Sequence, residues 1–333
     1  FRRVLFRSDA LREARKRAAA HRGSMVWTEV KGRDYLVRAG YDATGKRKQK
    51  SLGARDAKTE RIKSEFERGR TEAAERLRDA ESALSRQAAI NRALRLGRVP
   101  TMTARLLRSL DDNGLLGRTI RVLGTNALYA YEAVAGVRVD QGLTTTEDVD
   151  LLFDARARVS LIWDAGEDSN SLLRLLQRVD KSFERSPQGF RAVNRTGYLV
   201  DLIKPIPEPP WKSEPDRIGD DADDLVAVGI EGLDWLCNAP AFEAVAIDER
   251  GEPLTIVTSD PRVFAAHKLW LSKRSDREPI KRRRDLEQAR AVARLAADYL
   301  QHLPFRAEEL QMLPRDVVAA AAPMFEDAGR KQA

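Results

Sequence analysis

Asp148 and Asp150 stand one residue apart in the stretch TTTEDVDLLFDAR, Thr144 to Arg156. The apolar residues around them read as a buried strand, and an unpaired carboxylate in a core costs several kcal/mol of desolvation. Residues i and i+2 of a strand project from one face, so the two carboxylates stand side by side while Val149 and Leu151 enter the core. Such a pair repels itself unless a cation lies between, and hard oxygen donors of this kind suit Mg²⁺ or Mn²⁺. A third acid, Asp201, occupies an equally apolar strand in GYLVDLIKP. Three carboxylates on neighbouring strands can hold two metal ions about 4 Å apart, which activate an attacking hydroxyl and stabilise a leaving pyrophosphate oxygen. The competing reading is an ion pair of Asp148 or Asp150 with Arg121, Arg156 or Arg191. Asp154 and Asp180 read as structural or surface acids, and His267 as a packing residue.

Upstream, RVLGTNAL ends a strand at Gly124 and starts a helix with Thr125 and Asn126. Glycine lets backbone approach a ligand, and a helix N-terminus offers free N–H groups to a phosphate. A lone Gly-Thr turn is weak evidence. Followed by an Asp-Val-Asp strand and a later strand aspartate, it is stronger.

Taken together, VLGTNALYAYE, TEDVDLLFDAR and GYLVDLIKP resemble, in order, the motifs of the DNA-polymerase-beta-type nucleotidyltransferase superfamily. Over most of residues 26–300 the chain looks like a family of bacterial nucleotidyltransferase-fold proteins, with abortive-infection and toxin nucleotidyltransferases as more distant relatives. The sequence departs from the pattern in two places. Thr125 stands where Ser or Gly is usual, and 22 residues, 126–147, separate it from Asp148. The resemblance implies an α+β fold with a nucleotidyltransferase-type mixed sheet flanked by helices, an NTP substrate and two Mg²⁺ or Mn²⁺ ions. Asp148 and Asp150 would bind both metals. Asp201 would complete the nucleophile side and could accept the hydroxyl proton. Gly124, Thr125 and Asn126 would meet the phosphates. A helical domain would add cations for the triphosphate, and HKLWLSKRSDREPIKRRRD offers Lys268, Ser272, Arg274, Arg277 and Lys281. Lys268 and Ser272 share a helix face at i, i+4, as do Lys281 and Asp285. The activity implied is transfer of an NMP from an NTP to an acceptor hydroxyl.

The rest of the chain bounds the acceptor. Its 333 residues carry a net charge of +8, but residues 1–100 hold 27 Lys+Arg against 13 Asp+Glu, a net of +14, and the remainder sums to −6. A basic first third suggests a polyanion, most plausibly RNA or a tRNA end. Within it, VWTEVKGRDYLVRAGYDATGKRKQKSLG reads as three antiparallel strands near 26–30, 34–40 and 46–52. Arg33, Arg38, Lys46, Arg47, Lys48 and Lys50 interleave there with Trp27, Tyr35 and Tyr41, as a backbone-tracking, base-stacking surface would require. Such aromatics serve equally well as the core of a small sheet. The rival functions are a non-catalytic nucleic-acid-binding protein on the same scaffold, or a toxin with an antitoxin-like partner. One cysteine and scattered histidines leave no disulfide framework or zinc spacing. The lone Cys237 points to a reducing, cytoplasmic setting, and because no apolar run nears the roughly 20 residues that span a bilayer, no membrane partner is expected.

These groups need scaffolding. Residues 1–24 read as an uncertain or non-native leader, 25–53 as the basic β module, and 54–98 as a long helix, of which the roughly forty residues from Asp56 to about Leu96 would span about 60 Å. The catalytic core is expected over 99–206: a strand at TIRVLG, a helix at TNALYAYEAVAG, a strand at EDVDLLFDA, a helix at SLLRLLQRVDKSFE, and a hairpin turning near Thr196-Gly197. An acidic, Pro-rich linker or loop follows over 207–231. A hairpin in FEAVAIDERGEPLTIVTS and a helical domain then fill 232–333.

Overall fold

The computed structural model of the chain describes residues 2–41, 47–157, 171–209, 211 and 214–329. It is α+β and clusters into two compact units. One takes the residues up to Gly97 with Glu249–Pro253, and the other takes the remaining described residues.

In the first unit, β1 (Ser24–Val30), β2 (Arg33–Tyr41) and β3 (Arg47–Ala54) form an antiparallel meander. Helix α1 (Arg2–Ala20), which lies in the segment read as a leader, packs on α2 (Ala57–Ala93) and buries Leu11 and Ala14. Asp56 starts α2 with a reciprocal cap. Its carboxylate accepts the Thr59 N–H at 2.7 Å, and the Thr59 hydroxyl accepts the Asp56 N–H at 2.9 Å. The 37 residues of α2 span about 55 Å. Met25, Leu36 and Phe66 make the small core, with Trp27, Leu52 and Ile62 packed against it.

The second unit is built on a mixed sheet. Its order is β4 (Ile120–Leu123), β5 (Asp148–Phe153), β8 (Leu199–Pro205), β7 (Arg191–Val193), β6 (Glu184–Arg185), with β9 (Val228–Ile230) paired to the end of β8. Strands β5 and β8 are parallel, while β4 and β7 run antiparallel to them. Strand alternation gives the sheet two buried faces. Val149, Leu151, Phe153, Val200 and Leu202 join a core with Leu107 and Leu110 of α3 (Thr101–Asp112) and Leu175 of α6 (Leu172–Val179). Leu123, Leu152 and Ile203 enter the opposite core, built from α4 (Leu128–Ala135), α7 (Leu233–Asn238), α8 (Pro261–Ser272), α9 (Pro279–Tyr299) and α10 (Arg315–Gly329). A short α5 (Gln141–Thr144) precedes β5, and β10 (Ala241–Ile247) pairs with β11 (Pro253–Ser259).

Two local outcomes differ from the sequence pattern. Helix α6 stops at Val179 rather than reaching Glu184, because the Asp180 carboxylate accepts the Ser182 N–H at 3.0 Å and the Ser182 hydroxyl at 2.8 Å. That local bond offers the backbone an alternative to the helix. Among the described residues, 99–206, 207–231 and 232–333 also all fall in the second unit, apart from 249–253. The acidic segment supplies Ile218, Leu225 and Ala227 to the core and β9 to the sheet.

Asp224, in that segment, is fully buried. Its carboxylate accepts the N–H groups of Leu172 at 2.9 Å and Leu173 at 2.8 Å, the otherwise unpaired start of α6, and that of Leu225 at 2.8 Å. Asp224→Ala should therefore destabilise this unit by about 3 kcal/mol, with Asp224→Asn intermediate, as read by denaturant unfolding.

Candidate active site

The register of four strands sets Leu123, Asp150, Asp201 and Arg191 in one row across the sheet. Asp148 projects from the same face two residues before Asp150, at the first position of β5. Asn126, at the 3₁₀ turn Gly124–Ala127, fixes that strand start: its side-chain amide donates to the Asp148 carbonyl at 2.7 Å. The Thr146 hydroxyl donates to Asp148 Oδ1. Gly124 has φ +61°, and a Cβ built there would overlap Asp150 Oδ2 and stand 3.1 Å from its Cγ. Glycine is thus required twice at this position, by the left-handed backbone and by the carboxylate packed against it.

The carboxyl of Asp150 is pushed up to about 6, first by burial and then by the charge of Asp148, with Asp201 adding to the rise. Lys268 and Arg277 oppose it. Asp201 is buried and held by a two-pronged ion pair, in which Arg191 Nε donates to Oδ1 and Nη2 to Oδ2, both at 2.6 Å. Of the three arginines weighed as partners for the acids, only this one engages the aspartate row, and it engages Asp201 rather than Asp148 or Asp150. Arg121 donates to the Ala239 carbonyl at 2.7 Å, and Arg156 forks onto Asp154 at 2.9 Å.

The cations expected from α8 and α9 divide. Lys268 is buried and its Nζ pairs with Asp285 Oδ1 at 2.8 Å, while Arg277 Nε pairs with Asp285 Oδ2. One carboxylate therefore positions both Lys268 and Arg277, two of the cations that act on Asp150. The other three candidates are engaged elsewhere. The Ser272 hydroxyl donates to the Leu269 carbonyl of its own helix. Arg274 pairs with Glu231 and Asp276 over the Trp270 ring. Lys281 pairs with Glu278 at the surface, not with Asp285. His267 is buried among Trp235 and Trp270, and burial pushes it down to about 3.

Two residues of the site escaped the sequence reading. Gln288 donates through Nε2 to Thr125 Oγ1 at 3.2 Å and to the Leu143 carbonyl at 3.0 Å, and Arg284 donates to the Thr145 carbonyl. Both tie α9 to the segment between the Gly-Thr turn and β5. The available signal was a polar Gln288 on the stripe of Asp285, Ala289, Val292, Ala293 and Ala296, all buried in α9.

In the first unit, register separates the basic residues by face. Arg38, Lys48 and Lys50 share the face of Met25 and Leu36, whereas Arg33 and Arg47 lie on the other. Arg38 lies over the Phe66 ring and donates to the Ala20 carbonyl at 3.0 Å. Trp27 packs on the core under Arg55. Lys46 falls outside the described residues.

A family model described as a nucleotidyltransferase matches residues 101–313. The chain belongs to this nucleotidyltransferase family. No curated protein and no solved structure matches it significantly. The match spans the Gly-Thr turn, all three aspartates and the α8–α9 cations, and family membership supports nucleotidyl transfer with an NTP as substrate. Among the described residues no helix is long and apolar enough to cross a membrane.

The donor chemistry fits a divalent cation at Asp148 and Asp150, two hard oxygen ligands on one strand, with Asp150 raised first by burial and then by the charge of Asp148. Among the described residues, no three His, Cys, Asp or Glu side chains group as a metal-ligand set. In the aspartate row, both oxygens of the third acid, Asp201, bond to Arg191.

Two outcomes follow from this geometry. Gly124→Ala should cost about 2 kcal/mol more than Gly136→Ala, because Gly136 has a similar φ of +69° but open space around its Cβ; thermal unfolding of the two variants isolates the Asp150 overlap. In EDTA, folded Asp150 keeps its proton to about pH 6, whereas an unfolded aspartate ionises near pH 4, at about 3.9. The folded state binds the extra proton in that window, so stability should fall as pH rises from about 4 to 6, and Asp150→Asn should flatten this slope.

Proposed function

We propose that the protein transfers a nucleoside monophosphate from an NTP to an acceptor hydroxyl on RNA or a tRNA. The acceptor oxygen bonds to the α-phosphorus, the bond from that phosphorus to the bridging oxygen breaks, and pyrophosphate leaves while the hydroxyl gives up its proton to solvent water. The observation that carries this reading is the aspartate row beside Gly124, with Lys268 and Arg277 held within electrostatic reach by Asp285.

Asp148 and Asp150 would hold a divalent cation, which when bound neutralises phosphate charge at the reacting centre. Lys268 and Arg277 would meet the triphosphate as preorganised cations, because Asp285 has already fixed their positions. Gly124 lets the backbone of the turn lie against Asp150, and Gln288 holds the Thr125 hydroxyl at that turn. Asp201 would line the acceptor side next to Asp150. RNA is favoured by the net +14 of residues 1–100.

A second reading is a nucleic-acid-binding protein that keeps the scaffold without the reaction, and the Arg191–Asp201 pair favours it by engaging the third carboxylate. One experiment separates the two. With α-labelled NTPs, Mn²⁺ or Mg²⁺ and total RNA, label should pass to RNA, and Asp148→Asn or Asp150→Asn should lower transfer by about 10³-fold or more with RNA affinity unchanged. RNA binding without labelling under either metal supports the scaffold reading.

A further inference from the structure

The Asp201 side of the aspartate row already has a cation, and it belongs to the protein. Arg191 sits opposite Asp201 in the β7–β8 register, and its guanidinium meets both carboxylate oxygens in parallel, a geometry that adds directionality to charge. The guanidinium lies 5.5 Å from the Phe190 ring centroid, which further restricts its orientation. Asp148 and Asp150 also act on it electrostatically, after Asp201. Asp150 and Asp148 have no such partner among the arginines weighed for them, and Lys268 and Arg277, which do act on Asp150, are already bonded to Asp285.

We infer that Arg191 is the resident counter-ion of Asp201, so that without nucleotide the site takes one divalent cation, at Asp148 and Asp150, rather than two. This rests on the reading of the row as a metal-dependent transferase site. The charge count agrees. Three carboxylates face Arg191; Lys268 and Arg277 add two positive charges, and Asp285 removes one. One net negative charge remains, which a single divalent cation more than neutralises. A second ion would enter an already positive site and compete with a guanidinium fixed by two hydrogen bonds. Replacing Arg191 by a neutral side chain removes the competitor and leaves Asp201 beside Asp150 with both oxygens open.

The test counts ions directly, by titrating the full chain with Mn²⁺ in the absence of nucleotide and reading free Mn²⁺ by electron paramagnetic resonance. Wild type should bind one equivalent and Arg191→Ala two. Arg191→Lys keeps the charge and should stay at one. The double variant Arg191→Ala/Asp201→Asn should return to one, which assigns the gained ion to Asp201; it also shows that the gain is not a product of misfolding. Two equivalents in wild type, or one in both wild type and Arg191→Ala, would overturn the inference while leaving NTP labelling intact. No Mn²⁺ bound by any variant, with no labelling, would overturn the transferase reading along with it.

Discussion

Setting Asp150 and Asp201 opposite each other on parallel strands places two like charges in one row at the edge of a buried face, with Asp148 close behind. Nothing about a sheet tolerates that arrangement unaided, since like charges in partially desolvated surroundings raise each other's proton affinity. The neighbouring elements supply the compensation. Strand β7 brings Arg191 to the outer side of the row, and α8 with the loop after it brings Lys268 and Arg277. Gly124 gives up a side chain so that the turn after β4 can lie on Asp150. Asp150 still ends well above the usual carboxylate range. Burial contributes most to that rise and the charge of Asp148 next, and on the proposed reading a cation there would offset both.

Asp285 extends the same logic by one layer. A buried lysine is costly without a partner, and two cations directed at one site repel each other. A single buried carboxylate answers both problems, with one oxygen on Lys268 and the other on Arg277. Gln288, one turn further along α9, then ties the same helix to Thr125 and to the segment before β5. The position of α9 is thereby coupled to the geometry of the Gly-Thr turn through neutral hydrogen bonds, which burial does not penalise as it would a charge.

The aspartate motif and the elements around it were legible because their signals are local. A period of two places Asp148 and Asp150 on one face without knowledge of any neighbour, and the apolar strand around Asp201 marks it as the same kind of position. Which strand lies beside which is not local. Arg191 could be named as a possible partner of Asp148 or Asp150, but only the order β5–β8–β7 gives it to Asp201. The shared helix face of Lys281 and Asp285 likewise did not reveal what Asp285 binds. Spacing alone made them neighbours, yet burial of Asp285 reserves it for the cations arriving from α8 and the loop after it. In the first unit the run of basic and aromatic residues read as one surface, and strand alternation splits it into two.

The pairing pattern also bears on how the proposed RNA acceptor would be drawn in. Of the cations around the row, Arg191, Lys268 and Arg277 each sit on a carboxylate, so each acts over short distances and contributes little field beyond its partner. The residues from 101 onward sum to −6, which opposes approach of a polyanion as a whole. Long-range attraction of an RNA acceptor, on the proposed reading, would then originate in the first hundred residues, where the excess is +14. The family match begins only at residue 101. On the proposed reading, capture of a long anionic acceptor and chemistry on a triphosphate would draw on different charges, and substitutions in one set should leave the salt dependence set by the other in place.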